Sequence, residues 1–480
     1  MEIEKKINIF HILPVFLLAA FIKSEYIFLF FSFALIVYFI YNKSVFYIDN
    51  PFNYFFIWLS ISSFFSINSV ESFYVSWRFF VYIVIFSIIY EKPQSYKSAI
   101  LKMIIFISGF LMLLIFYNFF FMGSVKGYEI LGKNKNYSAS LFSICAIYFY
   151  HSFLNKEELW PKILNLLAFS AFFFSIILLN SRGSFLALFF LMTITSYIYL
   201  KKKYFKIYLG VFLLLFVSLL YFYDPFKISE PNSYMRPYIW LSSLKAILNY
   251  PLTGIGPGFF EYAFSKFKFA YFDGASFYNH TTVHAHSEIL NIAVESGILG
   301  VFLFIYSLYK TLLVDMDFKN IFSLMALSLL IQSLFDLIFY SSFMWIIFFS
   351  LLALSKHRED FKEKLKPKSS ALISISLIVL MLIPKFLKNY NLEFCDMKAI
   401  DNELISDNSA RKTALSDIYI NFYPKDIRFY YTCAYYYHLT GNDDIAKKYL
   451  LKLLFIEPYN KEALKLLYDI NRVRENFSEP

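Results

Sequence analysis

Charge is scarce in this chain. Lys, Arg, Asp and Glu make up 17% of its 480 residues, against about a quarter in an ordinary soluble domain. Cysteine is scarcer still: Cys145, Cys395 and Cys433 are the full set, with no Cys-x-x-Cys pair and no zinc-type spacing. That excludes a thiol-redox motif and a zinc-finger framework. Cys145 sits in an apolar run and reads as inert, whereas Cys395 and Cys433 can pair only in an oxidising compartment. A small-residue cleavage site is missing after the apolar stretch that follows Lys5 and Lys6, so the first segment reads as an uncleaved span. A strand-to-helix phosphate loop is missing too: GIGPG (Gly254, Gly256, Gly258) follows a helical pattern, which excludes a dinucleotide fold. Its glycines serve tight turns and close backbone approach.

What replaces charge is apolar length. The chain is 59% hydrophobic, with 62 Phe and 40 Tyr filling lipid-facing and core positions. Apolar runs fall at 9–22, 26–41, 52–67, 73–90, 98–122, 137–154, 163–180, 184–200, 204–223, 287–309, 320–339, 341–355 and 370–387. The expected fold is therefore all-α: a polytopic membrane helix bundle of about 12–13 transmembrane helices. The runs 320–339 and 341–355 read as two spans, a hairpin or a re-entrant segment. Net charge is +10, but the cations gather in short loops, so orientation explains them and nucleic acid does not. Lys43, Lys92, Lys97, Lys156, Lys162, Lys201 to Lys203, Lys310, Lys319 and the 356–368 segment share one side if the N-terminus is cytoplasmic. The other side then receives 123–136, the long outer loop 224–286 and everything after about residue 388. Lys126, Lys133 and Lys135 are basic on that outer side, where positive charge either is incidental or meets an anion. Residues 234–250 read as an amphipathic helix ended by Pro251.

Two domains are expected: a membrane domain at 1–387 and a small helical C-terminal domain at 388–480. Pro424 and Pro458 stand 34 residues apart, the tetratricopeptide period. Ala434, Tyr437, Gly441, Ala446 and Leu450 fall where that repeat places small and aromatic residues. Such a domain either binds a protein partner or caps the membrane domain.

The chemistry gathers on the outer side, in four clusters: Lys133 to Asn136, Arg182, Arg236, and His280 to Glu288. Each alone reads as an ordinary surface or snorkelling charge. Together they put several cations and a titratable histidine on one face. That is what a lipid-linked diphosphate needs: cations for its oxygens and a base for an incoming hydroxyl. His280, His284, His286 and Glu288 lack the spacing of a helical zinc site, so no metal and no cofactor is expected. Ser287 is a plausible N-cap for the helix that follows.

These residues resemble a known family. His286-Ser287, nine residues, Gly297, two residues, Gly300 matches the signature of bacterial O-antigen ligases. SRGSF at 181–185 is similar to that family's Ser-Arg-Gly segment, and RPYIW…YPLTGIGPGFF at 236–260 to its outer-loop segment. LGKNKNYSASL at 131–141 is similar to its Gly-x-x-Asn-x-Asn segment, with Lys135 in place of the usual Pro. The resemblance covers roughly 100–350. It implies an inverting, metal-independent glycosyltransferase in the bacterial cytoplasmic membrane, taking a glycan from undecaprenyl diphosphate. His286 would activate the acceptor hydroxyl, and Arg182 and Arg236, with Lys133 and Lys135, would hold the diphosphate. Asn136 and His284 would support the site; Glu288 would orient His286 or face solvent. Gly297 and Gly300 would let their helix pack closely. The acceptor stays open between lipid A–core, a growing glycan and a protein hydroxyl, with the ligase reading first. A transporter or flippase would show paired, broken-helix halves, and the chain has none; a scaffold acting through the C-terminal domain would not need His286.

Overall fold

The computed structural model describes residues 25–91, 93–126, 134–222, 235–268, 282–314, 316–356, 361–376 and 428–478. Lys133, His280, Pro424, Cys395, the run at 9–22 and most of 370–387 lie outside them. The helices are α1 (Glu25–Tyr41), α2 (Phe52–Phe64), α3 (Ser69–Glu91), α4 (Pro93–Met122), α5 (Lys135–Asn155), α6 (Leu159–Leu179), α7 (Arg182–Tyr199) and α8 (Lys202–Phe222). They continue with α9 (Met235–Asn249), α10 (Phe260–Phe267), α11 (Glu288–Leu308), α12 (Ile321–Ser333) and α13 (Ser342–Ser355). Beyond these lie α14 (Arg428–Leu439), α15 (Asp443–Ile456) and α16 (Lys461–Ser478). Among the described residues the β pairing is one isolated bridge, Tyr47 with Lys364. The all-α polytopic bundle expected from the apolar runs is the fold observed.

Among the described residues five helical stretches are long and apolar enough to cross a membrane: Ser69–Glu91, Tyr96–Met122, Leu159–Leu179, Arg182–Tyr199 and Glu288–Leu313. Their environments differ. The apolar window of α3 is 78% buried and that of α6 only 22%, so α3 is central and α6 presents its side chains to lipid. α13 is 14 residues long, about 21 Å at the helical rise, short of the roughly 30 Å hydrocarbon core. It survives because protein surrounds it: Phe343 to Leu354 are all buried. Much of the aromatic excess is spent here. Phe79 on α3 packs edge-on against Trp345 and Phe349 of α13, and Phe52 lies 4.8 Å from Phe349, centroid to centroid.

Successive helices alternate direction, so the polar loops collect at two ends. At one end Glu91 accepts from the amide of Val45, Tyr90 Oη accepts from the amide of Phe361, and Asp49 accepts from the amides of Lys362 and Glu363. His151 meets the Lys319 carbonyl and Tyr199 there. The opposite end carries α9, α10 and the starts of α5, α7, α11 and α13. The apolar run expected to continue to 339 stops as a helix at Ser333. The amides of Phe335 and Asp336 fold back on the Gln332 carbonyl, and a 3-10 turn at Ile338–Tyr340 leads into α13.

α11 is where the two halves of the site end are joined. Gly297 breaks its helical geometry at φ 74°, ψ −178°. The carbonyls thereby freed are used at once. Val294 accepts from the amide of Ile255, Glu295 from the amide of Gly256, and Ser296 from the Trp58 indole. In return Ile298 donates to the Pro251 carbonyl. A Cβ on Gly297 would stand 1.9 Å from the Leu252 carbonyl oxygen, and one on Gly254 2.4 Å from the Glu295 backbone. Gly300 fits the expectation of close packing, lying against Trp58 of α2, whereas Gly297 does something else: it opens the helix to receive the 251–256 strand of chain.

The C-terminal helices form their own small core. Cys433, Ala434, Ala446, Leu450 and Ala463 are fully buried, and Tyr437 stacks on Tyr449 at 5.9 Å. Lys268, at the end of α10, lies 3.9 Å from Glu457, both nearly buried. Burial lowers the Lys268 ammonium below its usual range, and the Glu457 carboxylate offsets part of that.

A methyl group at Gly297 must adopt a left-handed backbone and displace a carbonyl. Gly297→Ala should cost at least about 3 kcal/mol. Gly300→Ala, which keeps a helical backbone and meets the Ser296 side chain rather than main chain, should cost less. Thermal unfolding in detergent ranks the two; an equal loss would show that the break is dispensable.

Candidate functional site

The site is built where the 282–287 loop crosses the end of the bundle. Three contacts fix that loop. Thr282 Oγ1 donates to the His284 carbonyl, Trp240 Nε1 on α9 donates to the Ala285 carbonyl, and Asn291 Oδ1 accepts from the Ala285 amide. Ser287 occupies the N-cap position of α11, but its side chain makes no capping bond; Asn291 reaches back instead. His286 takes φ 53°, a left-handed conformation that a side-chain-bearing residue adopts at a cost. That turn brings its ring beside His284, with centroids 4.5 Å apart. On its other side His284 stacks against Tyr340 of the 3-10 turn at 5.8 Å.

His284 is held neutral. Burial pushes its pKa down to about 4, and the Arg236 guanidinium adds to the effect. Its Nδ1 is buried with no hydrogen-bond partner among the described residues, and the same is true of Glu288 Oε2. Buried polar atoms without a partner are rare in folded proteins. Glu288 is 7% exposed, so it does not face solvent. It is the first residue of α11.

The cations converge on one residue that sequence reading passed over. Asp336, 3% exposed, lies in the connection between α12 and α13. Arg236 Nη2 donates to its carboxylate at 2.9 Å, and Arg236 Nη1 donates to the Phe335 carbonyl. Arg182 and Lys135 lie within electrostatic reach of the same carboxylate. Both stand at helix starts: Lys135 follows the N-cap Asn134, whose side chain accepts from the Asn136 amide, and Arg182 follows Ser181. The turn into α7 needs Asn180 at φ 49°. Gly183 leaves room for Asp336, whose Oδ2 would be 2.7 Å from any Cβ there. Asn136 contributes its backbone carbonyl to Gln332. Lys135, Arg182 and Arg236, far apart in sequence, thus act on one carboxylate, and Arg236 also acts on His284. A lone acid in the apolar stretch 320–355 was the available signal for Asp336. Among the described residues no group of histidine, cysteine and carboxylate side chains has the arrangement of a metal site.

The histidine has a thermodynamic signature. The folded state resists protonating His284 while the unfolded chain accepts a proton near pH 6.5. Stability is therefore full above about 6.5 and falls with pH down to about 4, by at most about 1.4 kcal/mol per pH unit. His284→Gln should flatten that part of the stability–pH profile; an unchanged slope would show that His284 is not held neutral. Asp336→Asn should lower stability by roughly 1–3 kcal/mol, since it strands the guanidinium that the carboxylate now pairs.

No curated protein matches the chain. Residues 166–305 match the family model described as O-antigen ligase, a segment that includes Arg182, Arg236, His284, His286 and the break at Gly297. Through that segment this multi-pass, all-helical membrane protein is similar to the O-antigen ligase superfamily, a family of glycosyltransferase-type enzymes.

Proposed function

We propose that this protein moves a glycan from undecaprenyl diphosphate to an acceptor hydroxyl on the outer face of the cytoplasmic membrane. The observation that carries the reading is the juxtaposition at one end of the bundle: three cations around Asp336, and next to them two histidines in ring contact. The family supports a lipid-linked glycan donor and a glycan acceptor. Within it, the O-antigen ligase reaction on lipid A–core comes first, and polymerisation of a growing glycan is the alternative.

In this mechanism Arg182, Arg236 and Lys135 bind the diphosphate oxygens through charge-assisted hydrogen bonds. The acceptor oxygen attacks the anomeric carbon from the face opposite the diphosphate. The carbon–oxygen bond to the diphosphate breaks, the leaving group takes the electron pair, and the configuration inverts. The cations stabilise the charge that develops on it. The acceptor proton goes to a histidine, and His286 is the better base. A ring with pKa near 4 holds a proton poorly at neutral pH, which disfavours His284. His284, kept uncharged beside Arg236, lies tilted against His286 and fixes its ring. No metal is required, because fixed cations do the work of a Lewis acid.

The sidedness follows the distribution of lysines. Lys201 to Lys203, Lys319 and the 361–368 segment lie at the end away from His284 and His286, and such loops are retained in the cytoplasm. The C-terminal helices, touching α10 through Glu457 and Lys268, share the outer side with the site. There they form a tetratricopeptide-like unit available to a protein partner.

His286→Ala should abolish transfer in membranes supplied with lipid-linked glycan, while expression and thermal stability stay near wild type; near-normal transfer would remove it as the base. Arg182→Lys and Arg236→Lys should each lose most donor use, because an ammonium cannot make the paired hydrogen bonds of a guanidinium. Full activity in a chelator is expected; loss that zinc restores would overturn the metal-free mechanism.

A further inference from the structure

Arg78 is a cation inside the membrane domain that the mechanism above does not use. It sits about 13 Å along α3 from that helix's first residue, Ser69, within a stretch long and apolar enough to span a membrane. An arginine at that depth needs polar partners, and those it has are informative. Its Nη2 donates to Ser342 Oγ at the start of α13. Tyr82 hydrogen-bonds both to Arg78 and to Ser342. The guanidinium lies over the Tyr74 ring, 5.8 Å from its centre, and within electrostatic reach of Tyr340.

Tyr340, Phe335 and Asp336 belong to the connection between α12 and α13, and Ser342 is the residue at which that connection enters α13. This one short segment therefore carries four contacts. Phe335 and Asp336 hold Arg236, Tyr340 stacks on His284, and Ser342 meets Arg78. Three of the four point at the proposed site, and the fourth ties the segment to the most buried span of the bundle. A guanidinium at the N-terminus of α13 is opposed by the helix dipole. Directional hydrogen bonds to Ser342 and Tyr82 hold it there, and such bonds fix geometry.

We propose that Arg78 is a positioning residue, which from within the membrane sets the 334–342 connection and through it the placement of Arg236 and His284. The inference rests on the glycan-transfer reading for its effect on rate, but its structural part does not. His284 is faced by His286 on its own loop, Arg236 from α9 and Tyr340 from the connection. If the connection relaxes, Tyr340 leaves the ring, water reaches it, and its ionisation rises.

The test uses the full-length protein in nanodiscs, with histidine ionisation followed by NMR on labelled imidazoles and transfer measured with lipid-linked glycan. Arg78→Met should move the His284 ionisation from about 4 toward the ordinary value near 6.5, and should cut transfer on the order of a hundredfold. Arg78→Lys should retain part of both. Ser342→Ala should shift both in the same direction by less, and Arg78→Met with Ser342→Ala should be no worse than Arg78→Met alone. An unshifted His284 ionisation in Arg78→Met, or additive losses in the double variant, would overturn the proposal. Should Arg78→Met misfold, Arg78→Lys and Ser342→Ala decide it by the same readouts. A wild type that transfers no glycan would fail the proposed reaction, and the ionisation shift would still uphold the positioning.

Discussion

A buried carboxylate at the end of a membrane bundle must be paired, and Asp336 organises the site end through that requirement. It sits between α12 and α13 with almost no exposure, and an unpaired charge there would cost several kcal/mol. Arg236 of α9 supplies the direct ion pair. Arg182 at the start of α7 and Lys135 at the start of α5 add to the field. Gly183 leaves the space in which the carboxylate sits. Four segments distant in sequence are thereby drawn to one point. The carboxylate and the cations that act on it stand beside His284, on which Arg236 also acts.

The break in α11 plays a complementary part. A continuous helix has no carbonyls to spare, and the 251–258 segment would then have nowhere to dock. At Gly297 the helix releases Val294, Glu295 and Ser296, and the amides of Ile255 and Gly256 and the Trp58 indole take them up. Trp240 in turn holds the Ala285 carbonyl. The histidine loop is therefore clamped from the α9 side and by the start of α11, so His286 keeps its left-handed turn. Rigid placement of this kind is what catalysis by fixed groups demands.

Much of this architecture was legible in the amino-acid order. Long apolar runs with few charges can only be spanning or fully buried helices, and α3, α4, α6, α7 and α11 follow them closely. Arg182, Arg236, His284 and His286 stood out because charged and titratable groups are rare in such a chain. Asp336 did not, since one acid in an apolar stretch says nothing about which distant arginine will meet it. Arg78 was overlooked for the same reason: its partners are tyrosines and serines, which are abundant everywhere in this composition. The role of Gly297 was half legible. Its spacing from His286 pointed to a signature, but no local pattern reveals that the helix opens there to receive another segment. The end of α12 at Ser333 was misplaced because hydropathy continues smoothly through Leu337 and Phe339 while the hydrogen bonding does not.

The account comes down to where an anionic donor sits. Cryo-electron microscopy of the full-length protein in nanodiscs with a non-transferable lipid diphosphate glycan addresses that most directly. The account predicts the diphosphate in contact with Arg182 and Arg236, its sugar turned toward His286, on the same face as α9 and α10. A headgroup lodged instead at the opposite end, among Lys201 to Lys203 and Lys319, would contradict it.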